Sequence, residues 1–339
     1  MLSLWIKVLI IFISSKAYPE FDIPLMKQYV LSGKAQGTDF TIKYRAADSL
    51  VSVSELTHLF TQVDQSLSLY NPASLISQFN RGDKEVACDE YLLAVVKKSL
   101  EICAQSSGAF DITVKPLVDL WGFGPDGERH IPPKRKIRKA LIGVGCSQVF
   151  LSGSMLSKKN KNVKIDCNGI AQGYTVDLLA NLLEAKGIKN YMVELGGEIR
   201  VLGLNNEEIF WSIGIEGPEK NEMGDFSLTS SIRPQKGAVT TSGSYRNFFT
   251  KAGKNYSHIF NPATGYPVNN GMIAATVIAP DAITADALDN VCMVLGPEKS
   301  LRFLENYANV EAYLVFEKKD GRLADTATKG FKRYLINNK

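Results

Sequence analysis

Two oxygen-bearing side chains near the start of a predicted helix have the spacing of a cation site. Asp286 and Asn290 are four residues apart and therefore share one face of the helix predicted from Ala282 to Leu295. Carboxylate and amide oxygens are ligands that hard cations such as Mg²⁺ accept. A carboxylate in a first helical turn also stabilises the helix dipole, so the pair by itself is compatible with a structural role.

A polar segment joins a predicted strand to the most regular predicted helix, which runs from Asn168 to Lys186. The segment reads Asp166-Cys167-Asn168-Gly169-Ile170-Ala171-Gln172-Gly173-Tyr174. Asp166 and Asn168 can cap the helix. Backbone amides at a helix start can also attract phosphate, and a free carbonyl beside them can hold a hard cation. The residues alone leave both interpretations open.

His258 lies in the densest cluster of hydroxyl-bearing and turn residues in the chain. It is one of three histidines, and it stands between Thr240-Thr241-Ser242-Gly243-Ser244-Tyr245-Arg246 and Asn261-Pro262-Ala263-Thr264-Gly265. An imidazole titrates near neutral pH and can accept a proton from a reacting hydroxyl. A histidine beside such turns can equally be structural.

Three glycine-containing segments are candidates for close contact between backbone and ligand. Ser107-Gly108-Ala109-Phe110-Asp111 precedes a predicted helix, which suits either a ligand loop or a packing motif. Glu194-Leu195-Gly196-Gly197-Glu198 is interpreted as a tight turn between strands. Gly122-Phe123-Gly124-Pro125-Asp126-Gly127 matches a dinucleotide-binding pattern, but no strand precedes it and no helix follows. The context therefore predicts a surface loop.

Helical periodicity and strand alternation are interleaved without a regular βαβ rhythm. Helices are predicted over 54–67 with Ser54 as N-cap, 90–105, 168–186 and 282–295; strands are predicted over 40–44, 191–195, 199–204, 211–215 and 272–279. Two strands that flank Lys251-Ala252-Gly253-Lys254 predict a hairpin. The order predicts an α+β fold with mixed or antiparallel sheets and packed helices in a single catalytic unit.

The composition of the 339 residues, with 45% hydrophobic and 22% charged side chains, is that of a folded globular protein. A net charge of +4, without basic stretches interleaved with aromatics, gives no reason to expect nucleic acid as a partner. The basic run Lys134 to Lys139 is predicted to be the solvated face of a short helix. Five widely spaced cysteines without a CxxC pair are interpreted as buried free thiols, and zinc and haem sites are not expected.

The N-terminal residues differ in kind from the rest. Met1 to Ser15 is almost wholly apolar, and Ser15-Lys16-Ala17 offers small residues at the −3 and −1 positions of a cleavage site. The sequence predicts a signal peptide over 1–17, a linker over 18–32 and a catalytic domain over 33–339. We therefore expect export to the periplasm or to the outer face of the cytoplasmic membrane. An uncleaved anchor and an ordinary buried segment are the alternatives.

In their order and combination, these segments resemble the FAD:protein FMN transferase family, also called the ApbE family. The resemblance extends over residues 33–300. The matching blocks are Gly37-Thr38, Tyr70-Asn71-Pro72 with Ser74 and Asn80, Gly108-Ala109-Phe110-Asp111, Pro116-Leu117, Trp121-Gly122-Phe123-Gly124, Asp166 to Tyr174, Gly196-Gly197, Thr241-Ser242-Gly243 with Tyr245, His258, Pro262-Ala263-Thr264-Gly265 and Ala285-Asp286-Ala287.

The resemblance implies an enzyme that transfers FMN from FAD to a Thr or Ser hydroxyl of an acceptor protein, with Mg²⁺ as cofactor and AMP as leaving group. Acceptors of this kind include subunits of sodium-pumping and related membrane oxidoreductases. The resemblance further implies that His258 takes the proton of the acceptor hydroxyl. The metal would be held by Gly169, Asp286 and Asn290, and FAD would be contacted by Gln36, Tyr70, Ala109, Phe110, Asp111, Asp166, Gln172 and Phe260.

The chain departs from the family pattern at three of these positions. Asn290 stands where Thr is usual, although its amide oxygen can still ligate a cation. Gln172 stands where Lys or Glu is common, and Gln36 where Met is common. Two other activities stay open: hydrolysis of FAD to FMN and AMP by water, and flavin binding without catalysis.

Overall fold

The computed structural model describes residues 25–82, 84–125, 127–220 and 226–336, so the predicted signal peptide lies outside the described residues. The helices in these ranges are α1 Val53–Leu67, α2 Leu75–Arg81, α3 Glu90–Gln105, α4 Lys115–Trp121, α5 Lys134–Ala140, α6 Ala171–Ala185, α7 Ala282–Leu295 and α8 Pro297–Leu304. Short 3₁₀ turns are formed by Ile112–Val114, Leu141–Gly143, Cys146–Gln148 and Phe331–Tyr334.

The strands are β1 Lys27–Ala35, β2 Thr38–Ala46, β3 Glu85–Ala87, β4 Val149–Ser152, β5 Met155–Lys158, β6 Tyr191–Leu195, β7 Glu198–Leu202, β8 Ile213–Lys220, β9 Phe226–Ile232, β10 Lys236–Gly243, β11 Phe248–Lys251, β12 Lys254–Ser257, β13 Phe260–Asn261, β14 Tyr266–Pro267, β15 Met272–Ala279, β16 Glu311–Glu317 and β17 Leu323–Ala327.

An eight-stranded sheet in the order β1-β2-β6-β7-β10-β15-β16-β17 forms the centre of the protein, and each neighbouring pair in it is antiparallel. Successive side chains of a strand point to opposite faces. Ala238 and Val277 accordingly belong to the main core, whereas Val239 and Ile278 belong to a second cluster on the other face. The predicted α+β class with antiparallel sheets is confirmed.

Helices α6 and α7 pack on the main-core face of this sheet and against each other. Helix α7 contacts β10 and β15, and its residues from Ala282 to Asp289 are all buried. The opposite face is covered by the β8–β9 hairpin, which contributes Ile213, Ile215 and Ile232 to the second cluster. Because α7 is buried, any polar side chain that it carries must form hydrogen bonds, pair with an opposite charge or bind a ligand.

The observed boundaries correct several predictions. The N-cap of α1 is Ser52 rather than Ser54, because Ser52 and Glu55 form a reciprocal capping box. Strand β1 begins at Lys27, inside the predicted linker 18–32, and pairs with β2 over its full length. Helix α6 begins at Ala171 instead of residue 168.

The β11–β12 hairpin is confirmed, with Ala252 and Gly253 in the left-handed conformation that its tight turn requires (φ 51° and 72°). The Gly122 segment follows the end of a helix and not a strand, as predicted. The basic run forms α5, of which only Ile137 is buried. Among the described residues, no helix is long and apolar enough to span a membrane.

The prediction for the cysteines is wrong for one pair. Cys103 and Cys146 form a disulfide across a sequence separation of 43 residues, while Cys88, Cys167 and Cys292 are free thiols. The spacing of the cysteines could not predict this bond, because the tertiary fold brings the end of α3 beside the turn Cys146–Gln148. In a chain-entropy description, closing a loop of this size stabilises the fold by about 4 kcal/mol.

Helices α6 and α7 approach each other closely at Gly173. A Cβ atom at this position would lie 2.3 Å from the carbonyl oxygen of Ala282 and 2.7 Å from Cβ of Asp286, both of which belong to α7. Distances this short are not tolerated between non-bonded atoms, so the absence of a side chain at Gly173 allows this helix pair to form.

We expect Gly173→Ala to lower the free energy of unfolding by about 1–3 kcal/mol, although alanine is the better helix former, because the two helices must separate. Urea denaturation followed by circular dichroism measures this change. Gly82→Ala is the control, since its Cβ would come no closer than 3.1 Å to a neighbouring atom. Equal destabilisation of the two variants would contradict the close contact as the cause.

Candidate active site

A cavity of about 390 Å³ opens where the loop before α6, helix α7, the start of β7 and the segment around His258 meet. It brings together most of the residues singled out in the sequence. These are Tyr70, Ala109, Phe110, Asp111, Asp166, Gly169, Gln172, His258, Phe260, Asp286 and Asn290. Residues from five separate stretches of the chain therefore converge on one space, which is the usual form of a small-molecule site.

Gln36 is the exception, and its prediction as an FAD contact is not supported by the geometry. It occupies the left-handed position of the β1–β2 turn, with φ 51°, and its side-chain amide donates to Oγ1 of Thr175 at 3.1 Å. This bond ties Gln36 to helix α6 instead of presenting it to the cavity. The resemblance named the position but could not give the direction of its side chain.

The three predicted metal ligands lie side by side. The amide nitrogen Nδ2 of Asn290 donates to the carbonyl oxygens of Gly169, at 3.4 Å, and of Asp286, at 3.0 Å. Asp286 lies one turn earlier on α7 and accepts the backbone N–H of Gly173 at 2.9 Å. The oxygen and nitrogen of an Asn side chain exchange places when the amide turns over. Asn290 can thus offer either a donor to the Gly169 carbonyl or its oxygen to a cation.

Two further carboxyl groups face the same space, and sequence reasoning missed both. Glu198 is the first residue of β7 and was included only in a turn motif; Asp289 is on α7, between the two predicted ligands. Both are buried, and the oxygen Oε2 of Glu198 has no hydrogen-bond partner. An acidic residue in a helix or strand that is otherwise buried is the sequence signal that could have identified them.

The electrostatics of this acidic cluster fit a cation. Burial, opposed by the hydrogen bond from the Gly173 amide and assisted by the charge of Asp177, raises the pKa of Asp286 to about 7. Burial and the neighbouring charge of Asp286 also raise the pKa of Glu198 and of Asp289. Buried carboxylates that repel one another and leave an oxygen unpaired are stabilised when a divalent ion binds between oxygen donors. The residues present therefore suit Mg²⁺, which prefers such ligands.

Helix α7 is held in place by a residue that the sequence analysis did not select. Asp177 of α6 accepts the backbone N–H groups of Ala282 and Ile283, at 2.9 and 2.8 Å, which are the first amides of α7. It also pairs with Arg200 at 2.7 Å. Asp281 caps the same helix by accepting from Thr284. The position of Asp286 is consequently fixed at the level of the backbone.

The two loops predicted to contact FAD are joined to each other. The N–H of Asp166 donates to the carbonyl oxygen of Ile112 at 2.7 Å. The side chain of Asn80 exchanges two hydrogen bonds with the backbone of Ile165. Asp111 accepts the N–H and the hydroxyl of Thr113, at 2.8 and 2.6 Å, so it orders its own loop besides lining the cavity.

Aromatic side chains line the cavity at different depths. Phe110 and Phe260 are buried, and Phe260 packs against Trp121 and Phe123. Tyr70 is 73% exposed at the rim, which leaves its ring free for stacking on a planar ligand. This arrangement suits a flat aromatic ligand that enters over Tyr70.

His258 is held in a defined orientation at the other side of the cavity. Its Nδ1 lies 3.0 Å from the carbonyl oxygen of Asn247, and because a carbonyl only accepts, Nδ1 carries the proton in the neutral ring. Nε2 is then a proton acceptor. Burial lowers the pKa of His258, and the nearby charges of Arg129 and Arg246 lower it further. The imidazole is therefore neutral at pH 7 and has its basic nitrogen available.

Arg246 is a further cavity residue that the sequence analysis did not select. Among the described residues it is the only cationic one that lines the cavity. Its guanidinium lies next to the Gly196-Gly197 turn, where a Cβ at Gly197 would be 3.2 Å from Nη1. Its position after the Thr241-Ser242-Gly243 motif was the available signal.

The fold and the site together define a class of α+β proteins with an aromatic rim, a cluster of buried carboxyl groups and an oriented histidine around one cavity. The profile of the ApbE family matches residues 36–314. The chain belongs to the ApbE family.

Relatives and solved structures agree with this assignment. The FAD:protein FMN transferase of Vibrio cholerae serotype O1 is 37% identical over 318 residues, which are 91% of this chain and 93% of the relative. The protein of the same name from Escherichia coli strain K12 is 33% identical over 91% of this chain and 90% of its own length. The structure of the flavin transferase ApbE from Vibrio cholerae superposes with a TM-score of 0.82 at 33% identity, covering 92% of this chain and all of that one. The apo flavinyl transferase ApbE of Pseudomonas stutzeri gives a TM-score of 0.81 at 32% identity, covering 91% of this chain and 96% of that one.

We expect the limb of the pH–rate profile that belongs to His258 to lie below pH 6.5, because the pKa of His258 is lowered and only the neutral ring accepts a proton. His258→Ala should slow the reaction by about 100-fold or more while the affinity for FAD is kept. A pH–rate profile with parallel FAD titrations measures both effects. His58→Ala, which changes an exposed histidine of α1, is the control. An unchanged rate in His258→Ala, or a limb below pH 6.5 that persists in this variant, would contradict His258 as the base; a limb near pH 7 would belong to the Asp286 carboxyl.

Proposed function

We propose that this protein is a Mg²⁺-dependent flavin transferase that moves FMN from FAD to a Thr or Ser hydroxyl of an acceptor protein and releases AMP. The observation that carries the proposal is the convergence, in one cavity, of an aromatic rim, a cluster of oxygen-bearing side chains and the accepting nitrogen of His258. The reaction requires a site that binds the flavin, neutralises the pyrophosphate and activates the acceptor hydroxyl.

The charge balance of the cavity supports the requirement for a metal. Its lining contains the carboxyl groups of Asp111, Asp166, Glu198, Asp286 and Asp289, and among the described residues only Arg246 opposes them. A pyrophosphate brings further negative charge, so its binding is unfavourable unless cations or protons compensate. Gly169, Asp286 and Asn290 would hold Mg²⁺, which supplies charge neutralisation at the leaving phosphate when bound.

The side chains of this protein divide the remaining work. Tyr70 and Phe110 would hold the isoalloxazine ring and exclude water from its face. Nε2 of His258 accepts the proton of the attacking hydroxyl, and the Asn247 carbonyl keeps the ring oriented while it does so. Arg246 stabilises negative charge that develops on the transferred phosphoryl group. The bond from oxygen to phosphorus forms as the bond to the AMP phosphate breaks.

The acceptor and the compartment belong to the same proposal. Subunits of sodium-pumping or related membrane oxidoreductases with a Thr or Ser flavinylation site would be the acceptors, on the periplasmic side of the membrane. The Cys103–Cys146 disulfide supports an exported protein, because disulfides form and persist in oxidising compartments.

The decisive experiment incubates the purified protein with FAD, Mg²⁺ and a candidate acceptor protein. We expect one FMN bound to the acceptor for each AMP released, read from in-gel flavin fluorescence and from chromatography of the nucleotides. The control is an acceptor in which the flavinylated Thr is replaced by Val, and it should show no flavin fluorescence.

The products separate the alternatives. Release of AMP and free FMN at the same rate with and without acceptor would show that the protein hydrolyses FAD instead of transferring FMN. Binding of FAD without release of AMP would show that the protein binds flavin without catalysis.

Asp286→Ala tests the metal site. We expect loss of about 100-fold or more in transfer rate, because the pyrophosphate loses its counter-ion, together with weaker Mn²⁺ binding measured by electron paramagnetic resonance. Asp281→Asn is the matched control on the same helix, since asparagine keeps the N-cap and the residue does not line the cavity. Full activity of the wild-type protein in EDTA would refute the metal requirement.

A further inference from the structure

The Cys103–Cys146 disulfide lies directly beside the loop that forms one wall of the cavity. Cys103 is in the last turns of α3, and the chain continues from there into Ala109, Phe110 and Asp111, which line the cavity. One carboxylate oxygen of Asp111 and the two sulfur atoms all lie within 4.8 Å of one another. The bond is therefore in contact range of a group that the flavin would meet.

The two half-cystines hold this loop from opposite sides. On one side, the N–H of Gly145 donates to Oγ1 of Thr113 at 2.6 Å, and that hydroxyl donates to Oδ1 of Asp111 at 2.6 Å. On the other side, the N–H of Gly108 donates to the carbonyl oxygen of Cys103 at 2.8 Å. The disulfide is the covalent link that closes this ring of contacts.

The backbone between Cys103 and the cavity loop is in a conformation that needs support. Ser107 and Gly108 are consecutive left-handed residues, with φ 52° and 82°. A residue with a Cβ keeps such a conformation only where its surroundings enforce it. Loss of the covalent link removes one of these constraints, so the loop can relax away from its flavin-binding position.

We propose that Cys103–Cys146 is a thiol–disulfide modification site whose redox state sets the flavin affinity of the cavity. The oxidised protein holds the loop from Ala109 to Asp111 in place; the reduced protein binds FAD more weakly. The inference rests on the proposed function only in that the cavity binds a flavin.

The chemistry requires a dithiol as the reductant. Cys146 is partly exposed whereas Cys103 is buried, so a thiolate of the dithiol attacks the sulfur of Cys146. The Cys103–Cys146 bond breaks, Cys103 leaves as a thiolate and takes up a proton, and a mixed disulfide remains on Cys146. The second thiol of the reagent then displaces the Cys146 thiol. Two electrons have passed to the protein, and the reagent has become a disulfide.

The experiment measures the coupling in both directions, because linkage is reciprocal. Flavin fluorescence gives the Kd for FAD of the oxidised protein and of the protein reduced with dithiothreitol; we expect a rise of about tenfold on reduction. Alkylation and mass spectrometry give the rate at which Cys103 and Cys146 become reduced; we expect saturating FAD to slow it by a similar factor.

Variants and internal controls separate this role from general stabilisation. Cys103→Ala/Cys146→Ala should bind FAD as weakly as the reduced protein and should not respond to dithiothreitol, whereas Cys88→Ala should behave as the wild type. Cys167 and Cys292 are fully buried, so their alkylation reports global unfolding. FAD should slow the reduction and labelling of Cys103 and Cys146, while Cys167 and Cys292 stay unlabelled both with and without FAD.

An equal Kd in the oxidised and reduced proteins would overturn the inference, as would a reduction rate that is independent of FAD. Labelling of Cys167 and Cys292 in step with Cys103 would also overturn it, since the bond would then only stabilise the whole fold. If the double-alanine variant does not fold, the Kd values of the oxidised and reduced wild type and the effect of FAD on its reduction rate still test the inference. Failure of the oxidised wild type to bind FAD would instead refute the proposed function.

Discussion

The contact between helices α6 and α7 at Gly173 is the constraint on which the rest of the site depends. The same glycine that allows the helices to meet donates its N–H to Asp286. Asp177, further along α6, holds the first amides of α7. Helix packing therefore also places the proposed cation ligands, and the loop before α6 brings the Gly169 carbonyl against Asn290 as a consequence.

Burying the carboxyl groups that line the cavity lowers the stability of the fold, and this loss is confined to the candidate active site. Asp286, Asp289 and Glu198 are buried in the wall of the cavity, and their pKa values are raised because burial and the charges of neighbouring carboxylates disfavour the charged forms. A core built only for stability would place apolar residues at these positions. The surrounding helix and sheet contacts supply the rigidity that keeps the three groups together.

The two walls of the cavity are built differently. Around His258, orientation comes from backbone and side-chain hydrogen bonds: the Asn247 carbonyl fixes the imidazole, and Arg129 holds the side chain of Asn247 at 2.7 Å. On the opposite wall, the loop that carries Phe110 is held by hydrogen bonds and by a covalent bond. An exposed Tyr70 at the rim completes the cavity without being fixed by the core.

The amino-acid sequence by itself determined the α+β class and the long helices α3 and α7, because periodicity is encoded over short stretches. The resemblance of its motifs to the ApbE family pointed to eleven of the residues that line the cavity. The sequence analysis did not identify Glu198 and Asp289, since a buried acidic residue and an exposed one cannot be told apart without the tertiary structure. The sequence placed Gln36 in the site, but the β1–β2 turn directs its amide to Thr175. Only the tertiary structure could pair Cys103 with Cys146 and set the tautomer of His258. Both depend on atoms that are distant along the chain and close only after packing.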